Sequence, residues 1–295
     1  MLCDAHLHFI PEELAGHTSF YKGVWTDKGK LYAFLDAQGI ERALLVYPST
    51  DAHLKLGGYA RVCHMYNASC LSLAKENKKI IPSAIVDIEN LTDITSCVAA
   101  LRQDGFRAIS LASSYAGRFI IKELIPLFEA VEKYGLAIFV HPQTINPIGF
   151  DRVNDPLLMP VLEYSFDSSM FMGLLMMEGV LEKFDIPFIF SSLGGVMPFL
   201  KERFDRVYGM LRARSIVKDL GKNPSEVLKK VYVDTSSASL VHIRLAIELF
   251  GEDKILWGSD YPVAGDVTAS IAMFDALDPA LKEKITGSNF LKLFG

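Results

Sequence analysis

Eight short runs rich in β-branched and aromatic residues alternate along the chain with helical patterns, and this alternation restricts the folds open to it more than any other feature. The runs are Leu2 to Phe9, Arg42 to Pro48, Ile80 to Asp87, Phe106 to Ala112, Ala137 to His141, Pro187 to Ser192, Val231 to Thr235 and Ile255 to Asp260. Between them lie stretches of helical periodicity such as Leu31 to Gln38, Tyr59 to Glu76, Leu101 to Gln103 with its preceding turn, and Glu123 to Tyr134. Gly39, Gly105 and Gly135 follow three of these where a helix-ending glycine is expected. Strands that alternate with helices form parallel sheets, because a parallel neighbour needs a crossover long enough to hold a helix. Eight such units in 295 residues predict one α/β domain over 1–295, a (β/α)₈ TIM barrel. No Pro/Gly/Ser-rich seam or short repeat divides the chain. The longest connection, residues 143–185, holds Met159, Met170, Met172, Met176 and Met177. Core packing, a pocket wall or a homodimer seam would each suit this methionine-rich helix.

Composition narrows the partners. Half of the residues are hydrophobic and 22% are charged, with a formal net charge of -5. Lysine and arginine are scattered among acids, so nucleic acid is not an expected partner. The opening MLCDAHLHFIPEEL has neither a basic nor an apolar signal region, and no run reaches the roughly 18 apolar residues of a membrane span. Cys3, Cys63, Cys70 and Cys97 form no CxxC pair, which fits reduced, mostly buried thiols in a cytoplasmic protein.

His6 and His8 are two apart on the first strand, so both imidazoles point to one side of it. Chance alone would supply roughly 0.16 such pairs from seven histidines, so the pair is weak evidence by itself. Its weight comes from the ends of other strands. His141 closes the fifth run before Pro142, and Asp260 closes the eighth within Trp257-Gly258-Ser259-Asp260-Tyr261-Pro262. Active sites of such barrels assemble at the carboxyl ends of the strands, where these four side chains would converge. Three imidazoles and a carboxylate suit one divalent cation, with Zn²⁺ expected and water completing the coordination. Asp260 would both ligate the ion and accept a proton. Motifs for dinucleotides, P-loop phosphates and the serine-hydrolase elbow are absent from the sequence.

Five segments occur in order: Asp4-Ala-His6-Leu-His8, Phe139-Val140-His141-Pro142, Leu193-Gly194-Gly195, Tyr232-Val233-Asp234-Thr235 and the Trp257 to Pro262 segment. With them the chain resembles the amidohydrolase-related family, which includes aminocarboxymuconate semialdehyde decarboxylase and the resorcylate-type decarboxylases. The resemblance runs nearly to Asn289-Phe290-Leu291-Lys292-Leu293-Phe294. It implies His6, His8, His141 and Asp260 as metal ligands. Strand four lacks a lysine or glutamate to bridge a second ion, so one metal is expected. The family commonly places a histidine before the glycine pair of strand six as acid or base, whereas here Ser192 stands at that position. A serine hydroxyl orients water but does not exchange a proton near neutral pH.

His53, in the loop after strand two, is a candidate replacement proton carrier, and Asp4 a candidate orienter of His6. Arg118 and Arg152 are candidate clamps for a substrate carboxylate. His17, His64 and His242 read as structural. Three functions follow for a small-molecule substrate. The first is a metal-dependent hydrolase acting through activated water, the second a metal-dependent decarboxylase, and the third a non-catalytic binding protein, motivated by Ser192.

Overall fold

A computed structural model describes residues 1–153 and 155–295. Eight parallel strands follow one another round a sheet in chain order: β1 Leu2–His8, β2 Ile40–Val46, β3 Ile80–Ala84, β4 Ala108–Ala112, β5 Ala137–His141, β6 Phe188–Phe190, β7 Tyr232–Asp234 and β8 Ile255–Leu256. The last strand returns to the first. Ala5 donates to the Trp257 carbonyl at 2.8 Å, Asp260 to that of His6 at 2.7 Å, and His8 to that of Tyr261 at 2.7 Å. These bonds close the sheet and leave no free edge across that seam. They also carry the chain well beyond β8 while still bound to β1, so Asp260 lies level with the histidines.

The principal helices are α1 Lys28–Ala37, α2 Tyr59–Glu76, α3 Ile94–Asp104, α4 Ile125–Tyr134, α5 Tyr164–Met177, α6 Met197–Arg212, α7 Leu240–Phe250 and α8 Asn289–Phe294. One lies between each strand and the next, and α8 follows β8. Gly39, Gly105 and Gly135 each have positive φ at the ends of α1, α3 and α4, where a side chain would be strained. The weakly patterned third helix starts at Ile94, earlier than its sequence suggests. β3, β4 and β5 are buried on both faces, as parallel strands covered by helices must be. Asn289 ties α8 to the barrel by donating to the carbonyls of Glu252 and Ile255 at 2.8 and 2.9 Å.

The connection after β5 divides its methionines between roles. Met172 and Met176 of α5 are core, Met159 lines a cavity, and Met170 is exposed. No helix among the described residues is long and apolar enough to cross a membrane.

Candidate metal centre

His6 and His8 reach the same point from β1, and His141 joins them from the end of β5. One ring nitrogen from each lies within 4.8 Å of the others. Asp260 completes the cluster, its Oδ1 3.3 Å from His8 Nε2 and 3.6 Å from His6 Nε2. Its backbone has φ of +59°, a left-handed conformation that aspartate tolerates better than most residues. The histidines are almost wholly buried, while the Asp260 side chain keeps 20% exposure.

Each imidazole has its outer nitrogen engaged. His8 Nδ1 donates to the Val46 carbonyl at 2.8 Å and His141 Nδ1 to that of Pro142 at 2.9 Å. His6 Nδ1 faces Asp234 Oδ2 at 2.8 Å, somewhat off the axis of a well-formed hydrogen bond. Fixing Nδ1 in this way orients Nε2 as the ligating atom, a recurrent arrangement around protein-bound metals. His6 Nε2 and His8 Nε2 lie only 3.0 Å apart. Two ring nitrogens at that distance need positive charge between or on them, either a proton or a cation. Burial depresses the basicity of all three rings. At His8 and His141 it prevails and holds the pKa below the ordinary histidine value, whereas at His6 the charges of Asp234 and Asp260 outweigh it and lift the pKa to about 9. Burial would also raise Asp260, but the three imidazoles bring it below the usual carboxylate value. The donor set, its spacing and its fixed outer nitrogens therefore fit one divalent ion.

Asp234 is the residue whose part was not legible from spacing. It is fully buried at the end of β7 and accepts from the backbone N–H of Ser192 at 3.0 Å and of Ser236 at 2.9 Å, and from Ser236 Oγ at 2.6 Å. Its place within Tyr232-Val233-Asp234-Thr235 was the available signal. Asp4, expected beside the His6 ring, instead accepts from the backbone N–H groups of His6 and Ser259 at 3.0 and 2.9 Å. Burial lifts its carboxyl pKa to about 7. Ser192, φ +49°, turns its hydroxyl to Ser236 Oγ at 3.1 Å, so it joins the Asp234 network and also lines the cavity.

Three expected contributors stand elsewhere. His53 donates from Nδ1 to the Thr50 carbonyl at 3.1 Å and stacks on Tyr59, with ring centroids 4.5 Å apart. Arg118, 67% exposed, pairs with Glu123 at 3.2 Å. Arg152 makes a forked contact with the buried Glu163, the shorter arm 2.7 Å. Each is satisfied by a partner close in sequence, and none lines the cavity. His242, read as structural, caps α7 with Ser239 and also lines the cavity.

That cavity, of about 1110 Å³, opens over His6, His8, His141 and Asp260. One wall is aromatic. Trp25 stacks against His8 with centroids 5.7 Å apart, and Tyr21 and Phe20 pack edge-on against Trp25 at 4.8 and 5.9 Å.

The family model described as Amidohydrolase matches residues 3–295. The chain belongs to the amidohydrolase family. Over 222 residues it is 28% identical to 2-amino-3-carboxymuconate-6-semialdehyde decarboxylase of Dictyostelium discoideum, a match covering 70% of this chain and 57% of that protein. This amidohydrolase therefore aligns with little more than half the length of that curated relative. Its fold is similar to 5-carboxyvanillate decarboxylase from Sphingomonas paucimobilis, with a TM-score of 0.84 at 17% identity, covering 99% of this chain and 98% of that one. It is also similar to 5-carboxyvanillate decarboxylase from Novosphingobium aromaticivorans complexed with manganese and 4-hydroxy-3-methoxy-5-nitrobenzoic acid. That match has a TM-score of 0.83 at 19% identity and covers 100% of this chain and 96% of that one.

Proposed function

We propose that this amidohydrolase is a metal-dependent decarboxylase of a small, planar, conjugated acid. The observation that carries the reading is the cluster of three histidines and Asp260 beneath an aromatic wall. The relatives, named as decarboxylases, support it.

Hydrolysis was the first expectation, and the site suits it less well. A hydrolase needs a base to take a proton from water and an acid to protonate the leaving group, each contributing about 10² to 10⁴-fold. Ser192 Oγ is held by Ser236 and supplies neither, which leaves Asp260 as the one proton carrier at the cluster. Decarboxylation consumes one proton: R–COO⁻ and H⁺ give R–H and CO₂, the electron pair of the broken carbon–carbon bond becoming the new C–H bond. The same relatives speak against a purely binding role.

His6, His8, His141 and Asp260 would hold a divalent ion, whose positive charge would attract the substrate carboxylate; zinc is our expected ion and manganese the alternative suggested by the similar structure. Trp25, with Tyr21 behind it, forms a flat face against which a conjugated ring stacks. Asp260 Oδ1 sits at the histidines, and we assign its other carboxylate oxygen the task of carrying the proton to the substrate carbon. Asp234 keeps His6 in the orientation that presents Nε2 to the cluster.

The test is metal analysis of the purified protein together with CO₂ release from hydroxylated benzoates and dienoic acids, compared with hydrolysis of esters, lactones and amides. CO₂ release that is lost in Asp260→Asn is expected. Hydrolysis without CO₂, or decarboxylation undiminished in Asp260→Asn, would overturn the reading.

A further inference from the structure

Apart from the metal cluster, the cavity wall among the described residues contains no lysine and no arginine. Arg118 and Arg152 are committed to Glu123 and Glu163. The wall outside the cluster carries one acid and one further imidazole. Asp155 is there, its Oδ1 accepting from the backbone N–H groups of Leu157 and Leu158 at 2.9 Å each. His242 is the remaining imidazole, its Nδ1 3.5 Å from the Ser239 backbone nitrogen.

The wall's hydroxyls, serines among them, are neutral, and three of the larger ones are held by backbone. Tyr21 donates to the Pro48 carbonyl at 3.2 Å, Tyr164 to that of Thr144 at 3.1 Å, and Thr144 to that of Ser49 at 2.7 Å. These hydroxyls are engaged with backbone carbonyls, and Tyr21 also with Thr144 Oγ1 at 3.1 Å. Most of the remaining lining is apolar, including Leu193, Val196 and Leu245. A carboxylate placed there would lose much of its hydration and gain no counter-charge.

We infer that the cavity selects a mono-anion: one carboxylate is taken at the histidine and Asp260 cluster, and the remainder of the substrate is flat and uncharged. A second carboxylate is rejected. The inference rests on the reading of the site as one for a small acid and specifies the charge that the acid carries.

Isothermal titration of the Zn²⁺-loaded protein near neutral pH tests this with 4-hydroxyisophthalate and its 1-methyl ester. Both keep a carboxylate beside the ring hydroxyl, and they differ only in the charge at the far position. The ester is expected to bind about tenfold or more tightly than the diacid, the order of penalty for an unpaired charge at a partly solvated site. Leu245→Arg, which adds a guanidinium to the wall, should raise diacid affinity about tenfold and leave the ester unimproved. Ala238→Arg, on the same wall, serves if that variant does not fold. Equal or tighter diacid binding by the unmodified protein, or binding of neither ligand, overturns the inference. Parallel CO₂ measurement keeps the two readings apart. CO₂ release without ester preference removes the selectivity and leaves the reaction, whereas ester preference without CO₂ does the reverse.

Discussion

Asp234 Oδ2 stands 2.8 Å from Nδ1 of His6, with both side chains sealed from solvent. Burial alone would raise this carboxyl's pKa, yet the charge of His6 and the donors from Ser236 hold it below the usual value. The pair thus joins β7 to β1 directly behind the histidine cluster.

Asp234→Asn keeps the shape of the residue but offers an N–H or a weaker acceptor to His6 Nδ1. Metal affinity is expected to fall about 10 to 100-fold, the usual cost of losing such an orienting partner. Competition with a chromogenic chelator measures it, and unchanged affinity would remove Asp234 from the site.

Gly258 lies where β8 passes the cluster. A methyl group there would sit 2.9 Å from the His6 Cβ and 3.0 Å from the Asp234 Cβ, both close to backbone and unable to swing aside. Gly258→Ala should therefore destabilise the protein by about 1 to 3 kcal/mol. It should also lower metal content per chain at limiting metal. Chemical denaturation and metal analysis report the two effects separately.

A ligand that binds the folded chain alone stabilises it by mass action, about 2.7 kcal/mol when free metal is a hundred times its dissociation constant. Stripping metal with a chelator should thus lower Tm by roughly 5 to 10 °C for a chain of this size. Readdition of Zn²⁺ or Mn²⁺ should restore it, whereas Mg²⁺, which prefers oxygen ligands, should restore much less. A melting curve indifferent to all three would argue against a bound ion.

The thiols give a pH signature independent of the site. Burial raises Cys3 to about 11, Cys70 to about 12 and Cys63 higher still, and these three are enclosed. Cys97 is exposed, with its pKa also raised by partial burial and by Asp87. One thiol should react readily with a disulfide reagent in the native protein and four in denaturant. Because the thiolate is the nucleophile and its pKa is raised, the native rate should keep climbing as pH passes 9. More than one fast thiol in the native state would contradict this packing.

Strand positions were legible because each rests on a local pattern. The run Ala137 to His141 was read with the bounds that β5 has, since Pro142 ends it. β8 is shorter than its run, Ile255 to Asp260, because the later residues bond to β1 and Ile285 rather than continuing the ladder with β7. The first-rank cluster of His6, His8, His141 and Asp260 was assembled from these strand ends. His53, Arg118 and Arg152 could not be placed in the same way. A loop side chain goes to whichever partner competes best for it, and Tyr59, Glu123 and Glu163 are each near enough to win.

The sequence by itself determined the barrel, the pairing of His6 with His8 on one side of a strand, and the absence of an imidazole at Ser192, because alternation and spacing are properties of neighbours along the chain. Tertiary structure alone decided that Asp234 rather than Asp4 meets the His6 ring, that Asp260 reaches Nε2 of both β1 histidines, and that the cavity wall has no lysine or arginine among the described residues. These depend on closing β8 against β1 and on the competition of every loop for hydrogen bonds, which bring together side chains that no local pattern relates.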